Sequence, residues 1–393
     1  MTDENKKIII LNGTVITPFQ LLEDKVIYIR KGKIIATGDK KNMFEPAGKE
    51  IIDAGGGFIT PGFIDMHVHG GGGSDVMDGK HEAVEKVAAT HSRFGTTAFL
   101  PTTMTMSKDK IIGSLKSINE VFVKGTRTAE ILGIHLEGPY INPEKKGAQK
   151  EKDIKKASIK EFLEFNQASG NLIRIVTIAP EMPGMIDFIR WLYKHKIIAS
   201  VGHSSATYEQ VQKGIRAGLS HVTHTFNAMS GLNHHKPGVV GAALSSPELI
   251  LEIIADGIHV LPPVVKILIR AKGIEKVVLI TDAMRAASKP EGTYNLGGQE
   301  VTVTKGQVRL KDGTLAGSVL TMDKAVRNMI DMVGVPLKEA IQMATINQAK
   351  CLGVENEKGS LETGKDADIV ILDKKLKVKL TMVGGKIVYR REE

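Results

Sequence analysis

PGFIDMHVHGGG occupies residues 61–72. It closes an apolar, β-rich run at 58–65, sets His67 and His69 two residues apart, and opens a run of four glycines, Gly70 to Gly73. On an extended chain, residues i and i+2 point to the same side, so both imidazoles reach one region. The glycines allow close backbone approach or positive φ. An apolar run followed at once by a chemistry-bearing residue then recurs along the chain. Strand-like runs fall at 58–65, 96–101, 131–136, 172–178, 197–201, 219–222, 249–254 and 276–280. Helical stretches separate most of them, among them 81–94, 207–217 and 263–271. Strands alternating with helices argue for a parallel sheet. Eight such units over residues 58–357 predict an α/β fold, a (β/α)8 TIM-type barrel, for which about 250 residues is typical. A doubly wound open sheet is the rival.

The two ends read differently. Runs at 7–11, 25–30 and 33–37 are β-rich and broken by Asn12-Gly13 and Lys31-Gly32; runs at 367–372, 378–383 and 386–389 are similar. Neither end carries enough apolar residues for a core of its own. The expected organisation is a small β-sandwich from residues 1–57 and 358–393 around a barrel at 58–357. Gly-punctuated β runs at 292–317 predict a hairpin insertion, followed by helices at 319–332 and 338–349.

Composition narrows the function classes. With 42% hydrophobic and 25% charged residues, the 393-residue chain is globular rather than disordered. Its +9 net charge is scattered and its aromatic content is 5%, too low for nucleic-acid stacking platforms. The basicity suits a solvated surface with a tilt toward anionic small molecules. The single cysteine, Cys351, excludes a disulfide framework or thiolate cluster. No apolar stretch reaches the ~18 residues of a membrane-spanning helix. Residues 1–7 (MTDENKK) lack a signal-peptide core, so a cytoplasmic location is expected.

All 12 histidines lie between His67 and His259. Glu137 ends the third run, His203 follows the fifth, His224 the sixth, His259 the seventh and Asp282 the eighth. In a barrel the carboxyl ends of all strands open onto one face, so these distant residues are expected to converge. Neutral imidazole is a common ligand of zinc and related ions. A buried carboxylate such as Glu137 is costly unless paired or metal-bound; a structural ion pair is its bland alternative. Asp282 can bind metal or take a proton from water, and His259 can donate to a substrate carbonyl. His81, His91 and His195 fall on helices as surface or packing residues, and His135 and His221 as supports behind the ligands.

With HLEGP (135–139), KKGA (145–148), GHS (202–204), HTFNAM (224–229), DGIH (256–259), TDAM (281–284) and LAGSVLTM (315–322), the set resembles the amidohydrolase superfamily and, within it, the N-acetylglucosamine-6-phosphate deacetylases. These motifs span nearly the whole chain. The resemblance implies a barrel with a terminal β-sandwich and a divalent metal held by Glu137, His203 and His224. His67 and His69 are intact, which implies room for a second ion, with Asp282 touching the metal; zinc, iron and manganese all accept such ligands. It casts Asp282 as catalytic acid/base and His259 as the group that polarises the amide carbonyl. Substrate contacts fall to Ala148, Gln149, Asn227, Ala228, His235, His259, Ala316, Gly317 and Ser318. Gln149 and His235 stand where relatives often hold phosphate with histidine and arginine. In relatives that arginine crosses a dimer interface, so His235 is expected to serve the partner of a homodimer. The implied activity removes acetyl from N-acetylglucosamine-6-phosphate, in amino-sugar catabolism and cell-wall sugar recycling. The alternatives are the N-acetylgalactosamine-6-phosphate reaction, cyclic-amide hydrolysis, or an inactive scaffold.

Overall fold

The computed structural model describes residues 7–18, 20–43 and 48–392. Eight parallel strands build the barrel: β1 (Phe63–Val68), β2 (Thr96–Thr103), β3 (Ile134–Glu137), β4 (Ile173–Ile178), β5 (Ile198–Val201), β6 (Leu219–Val222), β7 (Ile250–Ile254) and β8 (Val277–Ile280). Each pairs with the next, and a parallel bridge between Val68 and Ala283 closes the ring. Strands covered on both faces should be apolar along their length, and β8 (VVLI) is buried at every position.

Helices α1 (His81–Ser92), α2 (Lys108–Lys124), α3 (Ile159–Ala168), α4 (Met185–Lys194), α5 (Tyr208–Ala217), α6 (Gly238–Ser245), α7 (Pro262–Lys272) and α8 (Met322–Asn328) each follow one strand. Their inward stripes make the core; α4 buries Met185, Phe188, Ile189 and Leu192, the i, i+3, i+4, i+7 pattern. A capping box of Thr207 and Gln210 starts α5, and Gly218 in the left-handed region ends it.

The small β domain uses both ends of the chain. One sheet has four strands in the order Lys33–Asp39, Lys25–Arg30, Lys7–Leu11, Lys49–Asp53. The other has six, in the order Lys386–Arg390, Val378–Val383, Ile369–Leu372, Phe58–Pro61, Thr14–Ile16, Leu21–Leu22. Ile8, Ile10, Ile27 and Ile29 from the N-terminal part share a core with Ile369, Ile371, Leu380 and Met382. An antiparallel three-stranded insertion (Gly292–Leu296, Gln299–Thr304, Gln307–Leu310) sits between β8 and α8.

Three elements differ from the sequence reading. The run 58–65 is two strands. Phe58–Pro61 pairs with Ile369–Leu372 in the small domain, and the barrel begins at Phe63. Gly62 sits at the switch, where a Cβ would lie 2.1 Å from Thr97 Oγ1. The helix expected at 319–332 becomes α8 followed by a π-turn at Met329–Val333. The helix expected at 338–349 breaks into α9 (Leu337–Gln342) and α10 (Ile346–Leu352). Asn347 and Gln348 explain the break: their amides bond the carbonyls of Val277 and Leu279, tying α10 to β8.

Lys358 joins the two parts. Its buried ammonium lies 2.6 Å from Glu130, which precedes β3, and 3.0 and 2.9 Å from Asp366 and Asp368. Burial opposes its charge, but the Asp368 and Glu130 carboxylates outweigh burial and raise its pKa. A raised lysine pKa gives stability that is fully present below the unfolded value and lost only as pH rises through the folded one. Lys358→Met should therefore cost on the order of 3–5 kcal/mol, the usual loss on breaking a buried pair, with little change between about pH 7 and 9. Urea unfolding checks this; a loss below about 1 kcal/mol, typical of surface pairs, would contradict it.

Candidate metal centre and cleft

Five strands deliver the candidate ligands to one rim. His67 lies within β1 and Glu137 ends β3. After β5, β6 and β8 the chain does the same thing three times: the second residue beyond the strand turns left-handed. His203 has φ 48°, His224 φ 30° and Asp282 φ 48°. For non-glycine residues such backbone costs roughly 1–3 kcal/mol and persists only where neighbours enforce it. They do so here. Asp282 N–H donates to the His67 carbonyl at 2.9 Å, and its own carbonyl accepts from Ser318 N–H at 2.7 Å. The His203 carbonyl accepts from Asn142 N–H, and the His224 carbonyl from Asn227 N–H.

The side chains converge. Glu137 Oε1 lies 3.3 Å from His203 Nε2 and 3.1 Å from His224 Nε2, and these two nitrogens are 3.1 Å apart. His67 Nε2 and His69 Nε2 are 3.3 Å apart, and Asp282 Oδ1 lies 3.1 Å from His69 Nε2. Glu137 also reaches this second group, 3.5 Å from His67 Nε2 and 3.4 Å from His69 Nε2. All these side chains are nearly withdrawn from solvent.

The outer nitrogens settle the tautomers. His69 Nδ1 donates to the Thr102 carbonyl at 2.9 Å and His203 Nδ1 to the Lys145 carbonyl at 2.8 Å. Carbonyls only accept, so each Nδ1 carries a proton, and in the neutral imidazole Nε2 presents its lone pair inward. His67 Nδ1 is oriented by the Glu252 carboxylate at 3.0 Å. Lone pairs and carboxylates crowded together in a buried space repel unless positive charge lies among them. The ionisation follows that demand. Burial disfavours charge on His67, yet Glu137 and Asp282 pull its pKa up to about 10. Burial would raise Asp282, yet His67 and His69 hold it down at about 2. Four imidazoles and two carboxylates suit one or two divalent ions, and they form two candidate sets, Glu137/His203/His224 and His67/His69/Asp282.

Two other clusters of potential ligands are otherwise engaged. In His67/His135/Glu252, His135 Nδ1 faces the Met66 carbonyl and Nε2 faces Thr177 Oγ1, and burial with the neighbouring His67 lowers its pKa to about 4. It supports β1 rather than binding an ion. In Glu130/Asp366/Asp368 the cation is Lys358.

A cleft of about 400 Å³ opens above the centre. Of the sequence-predicted substrate residues, Ala148, Gln149, Asn227, Ala228, His259 and Gly317 line it. His259 is held by Asp256, which bonds Nδ1 at 2.7 Å and raises the imidazole's pKa against the effect of burial. Gln149 lies at the rim but turns its amide inward to Glu137. Ala316 and Ser318 are buried beside the wall; Ser318 Oγ donates to the Thr281 carbonyl, bracing the Asp282 turn. His235 is exposed outside the cleft, packed against His234 with ring centroids 4.0 Å apart. His91, expected as a surface or packing residue, is buried and bonds the Gly70 carbonyl.

The sequence reading missed Glu252, although a lone charge inside the apolar run LILEII was a visible signal. It quoted Lys145, Lys146 and Leu315 only as members of motifs, and it missed Leu296 and Asp312, which wall the cleft with them. Among the described residues no helix is long and apolar enough to cross a membrane.

Residues 58–388 match the amidohydrolase family. The chain is 38% identical to an N-acetylglucosamine-6-phosphate deacetylase of Bacillus subtilis, over 99% of this chain and 98% of that one. It is 39% identical to an N-acetylgalactosamine-6-phosphate deacetylase of Escherichia coli O157:H7, over 93% and 95%. Its structure resembles the crystal structure of the N-acetylglucosamine-6-phosphate deacetylase from Pasteurella multocida with a TM-score of 0.92 and 32% identity, covering 98% of this chain and 100% of that one.

If Glu137 serves both ligand sets, Glu137→Ala should emerge with metal content well below one ion per chain. Elemental analysis beside the wild type checks this, and an unchanged content would refute the ligand role.

Proposed function

The chain belongs to the amidohydrolase family and to its N-acetylglucosamine-6-phosphate deacetylase branch, and we propose that it hydrolyses the N-acetyl amide of that sugar phosphate to acetate and glucosamine-6-phosphate. One observation carries this reading: a ligand cluster, an acid/base candidate and a carbonyl-polarising candidate share one cleft in a chain collinear with deacetylases over its full length.

Glu137, His203 and His224 would hold the primary ion, and His67, His69 and Asp282 a second. When bound, a divalent ion lowers the pKa of a coordinated water toward about 7 and polarises an oxygen beside it. The protein's own groups do the rest. Asp282 takes the proton of the attacking water as the new C–O bond forms. It returns that proton to the nitrogen as the C–N bond breaks. His259, its Nδ1 occupied by Asp256 and its charge favoured by that carboxylate, leaves Nε2–H to donate to the carbonyl oxygen as charge builds there. Asn227 and Ala228, with the rim cations Lys145 and Lys146, take the sugar and phosphate end.

A cytoplasmic homodimer belongs to the same reading. It is supported by the free thiol of Cys351 and by His235 standing exposed outside the cleft of its own chain. The comparable identity to the galactosamine enzyme makes the galacto epimer the second candidate substrate.

Asp282→Asn should lower kcat by on the order of 10²–10⁴-fold, the usual worth of a positioned acid/base, with KM little changed. Acetate release from both hexosamine phosphates and their unphosphorylated forms is the assay. Turnover near wild type in that variant would end the assignment. Faster release from the galacto epimer would select the second substrate.

A further inference from the structure

We propose that Gln149 is a positioning residue for the shared carboxylate of Glu137, not a contact for the substrate's phosphate. The inference rests on Glu137 being a metal ligand, as the proposed function requires.

Gln149 is almost fully buried, 4% exposed, although its loop forms part of the cleft rim. Both ends of its amide are used. Oε1 accepts the Thr105 N–H at 2.7 Å, and Nε2 donates to Glu137 Oε2 at 2.7 Å. A backbone N–H can only donate, so the oxygen must face Thr105 and the NH₂ must face the carboxylate. The direction of the amide is therefore fixed by its partners.

The loop is pinned as well. Gln149 N–H donates to the Lys146 carbonyl at 2.9 Å, and the preceding Ala148 carbonyl accepts from Gln299 of the β insertion at 2.6 Å. Turning Gln149 toward a ligand in the cleft would strand the Thr105 N–H and one oxygen of Glu137 in a buried place, where each unmade bond costs about 1–3 kcal/mol.

The bond to Oε2 fixes the plane of the Glu137 carboxylate. Oε1 is left facing His203 and His224, with His67 Nε2 at 3.5 Å, while Oε2 faces His69. A carboxylate shared between two ligand sets needs a fixed plane, because free rotation would turn Oε1 away from His203 and His224 and Oε2 away from His69. Groups that hydrogen-bond a ligand from behind in this way contribute about 10–100-fold in metal affinity. The donor is neutral, so it orients the ligand without adding charge to the centre.

The test uses full-length chain stripped of metal by a chelator and titrated with cobalt(II) alone, followed by visible absorption and calorimetry. Gln149→Met keeps the length and removes both hydrogen bonds. Cobalt should bind it on the order of tenfold or more weakly than wild type. After loading at saturating metal, KM and the preference for phosphorylated over unphosphorylated sugar should be unchanged. Gln149→His, which keeps an N–H donor, should recover part of the affinity. If the methionine variant does not fold, Gln149→Asn, too short to span Thr105 and Glu137, should give the same weakening. Unchanged cobalt affinity with a raised KM confined to phosphorylated sugars would overturn the inference and make Gln149 a phosphate contact. Weakened cobalt binding in a chain that releases acetate from no amino sugar would remove the proposed reaction and leave this inference standing.

Discussion

Buried within the rim of the barrel, the Glu137 carboxylate faces four imidazole nitrogens. His203 and His224 bring their Nε2 atoms to 3.1 Å of one another, and the Lys145 carbonyl holds His203 from outside. Such a cluster is costly to assemble in a low-dielectric interior. It is tolerable if a cation lies among the donors, and much of the nearby structure serves to hold the donors where a cation can take them. The left-handed turns at His203, His224 and Asp282, the carbonyls behind His69 and His203, and Glu252 behind His67 all do this.

That constraint explains why a barrel suits the task. Parallel strands present their carboxyl ends on one face, so residues between position 67 and position 282 meet without any long loop. Apolar strands and the helices around them supply a rigid frame, and the strained turns draw on that rigidity. The small β domain clamps both chain ends, and Lys358 ties it to the barrel through carboxylates from each part. The β insertion walls the cleft and reaches the loop that carries Gln149. Stability far from the rim therefore feeds the geometry at the rim.

Much of this was legible in the sequence because it depends on local pattern. Alternating apolar runs and amphipathic stretches specify the barrel, and the polar residue just past each run specifies the rim. Other features depend on partners distant in sequence. The division at Gly62 depends on pairing between Phe58–Pro61 and Ile369–Leu372. The break between α9 and α10 depends on Asn347 and Gln348 finding the carbonyls of β8. Nothing in the letters around His203 or Asp282 announces a positive φ, since these are not glycines. The direction of Gln149 was hidden for the same reason: its motif placed it at the rim, and only Thr105 and Glu137 decide which way it faces.

The most direct test of the account is anomalous diffraction from crystals of the enzyme as isolated, recorded at the absorption edge of whichever metal the crystals contain. The account requires a strong peak about 2.0–2.2 Å from Glu137 Oε1, His203 Nε2 and His224 Nε2, the distances expected of such ligands. A centre free of metal in fully active crystals, its charge balanced by protonated imidazoles alone, would contradict it.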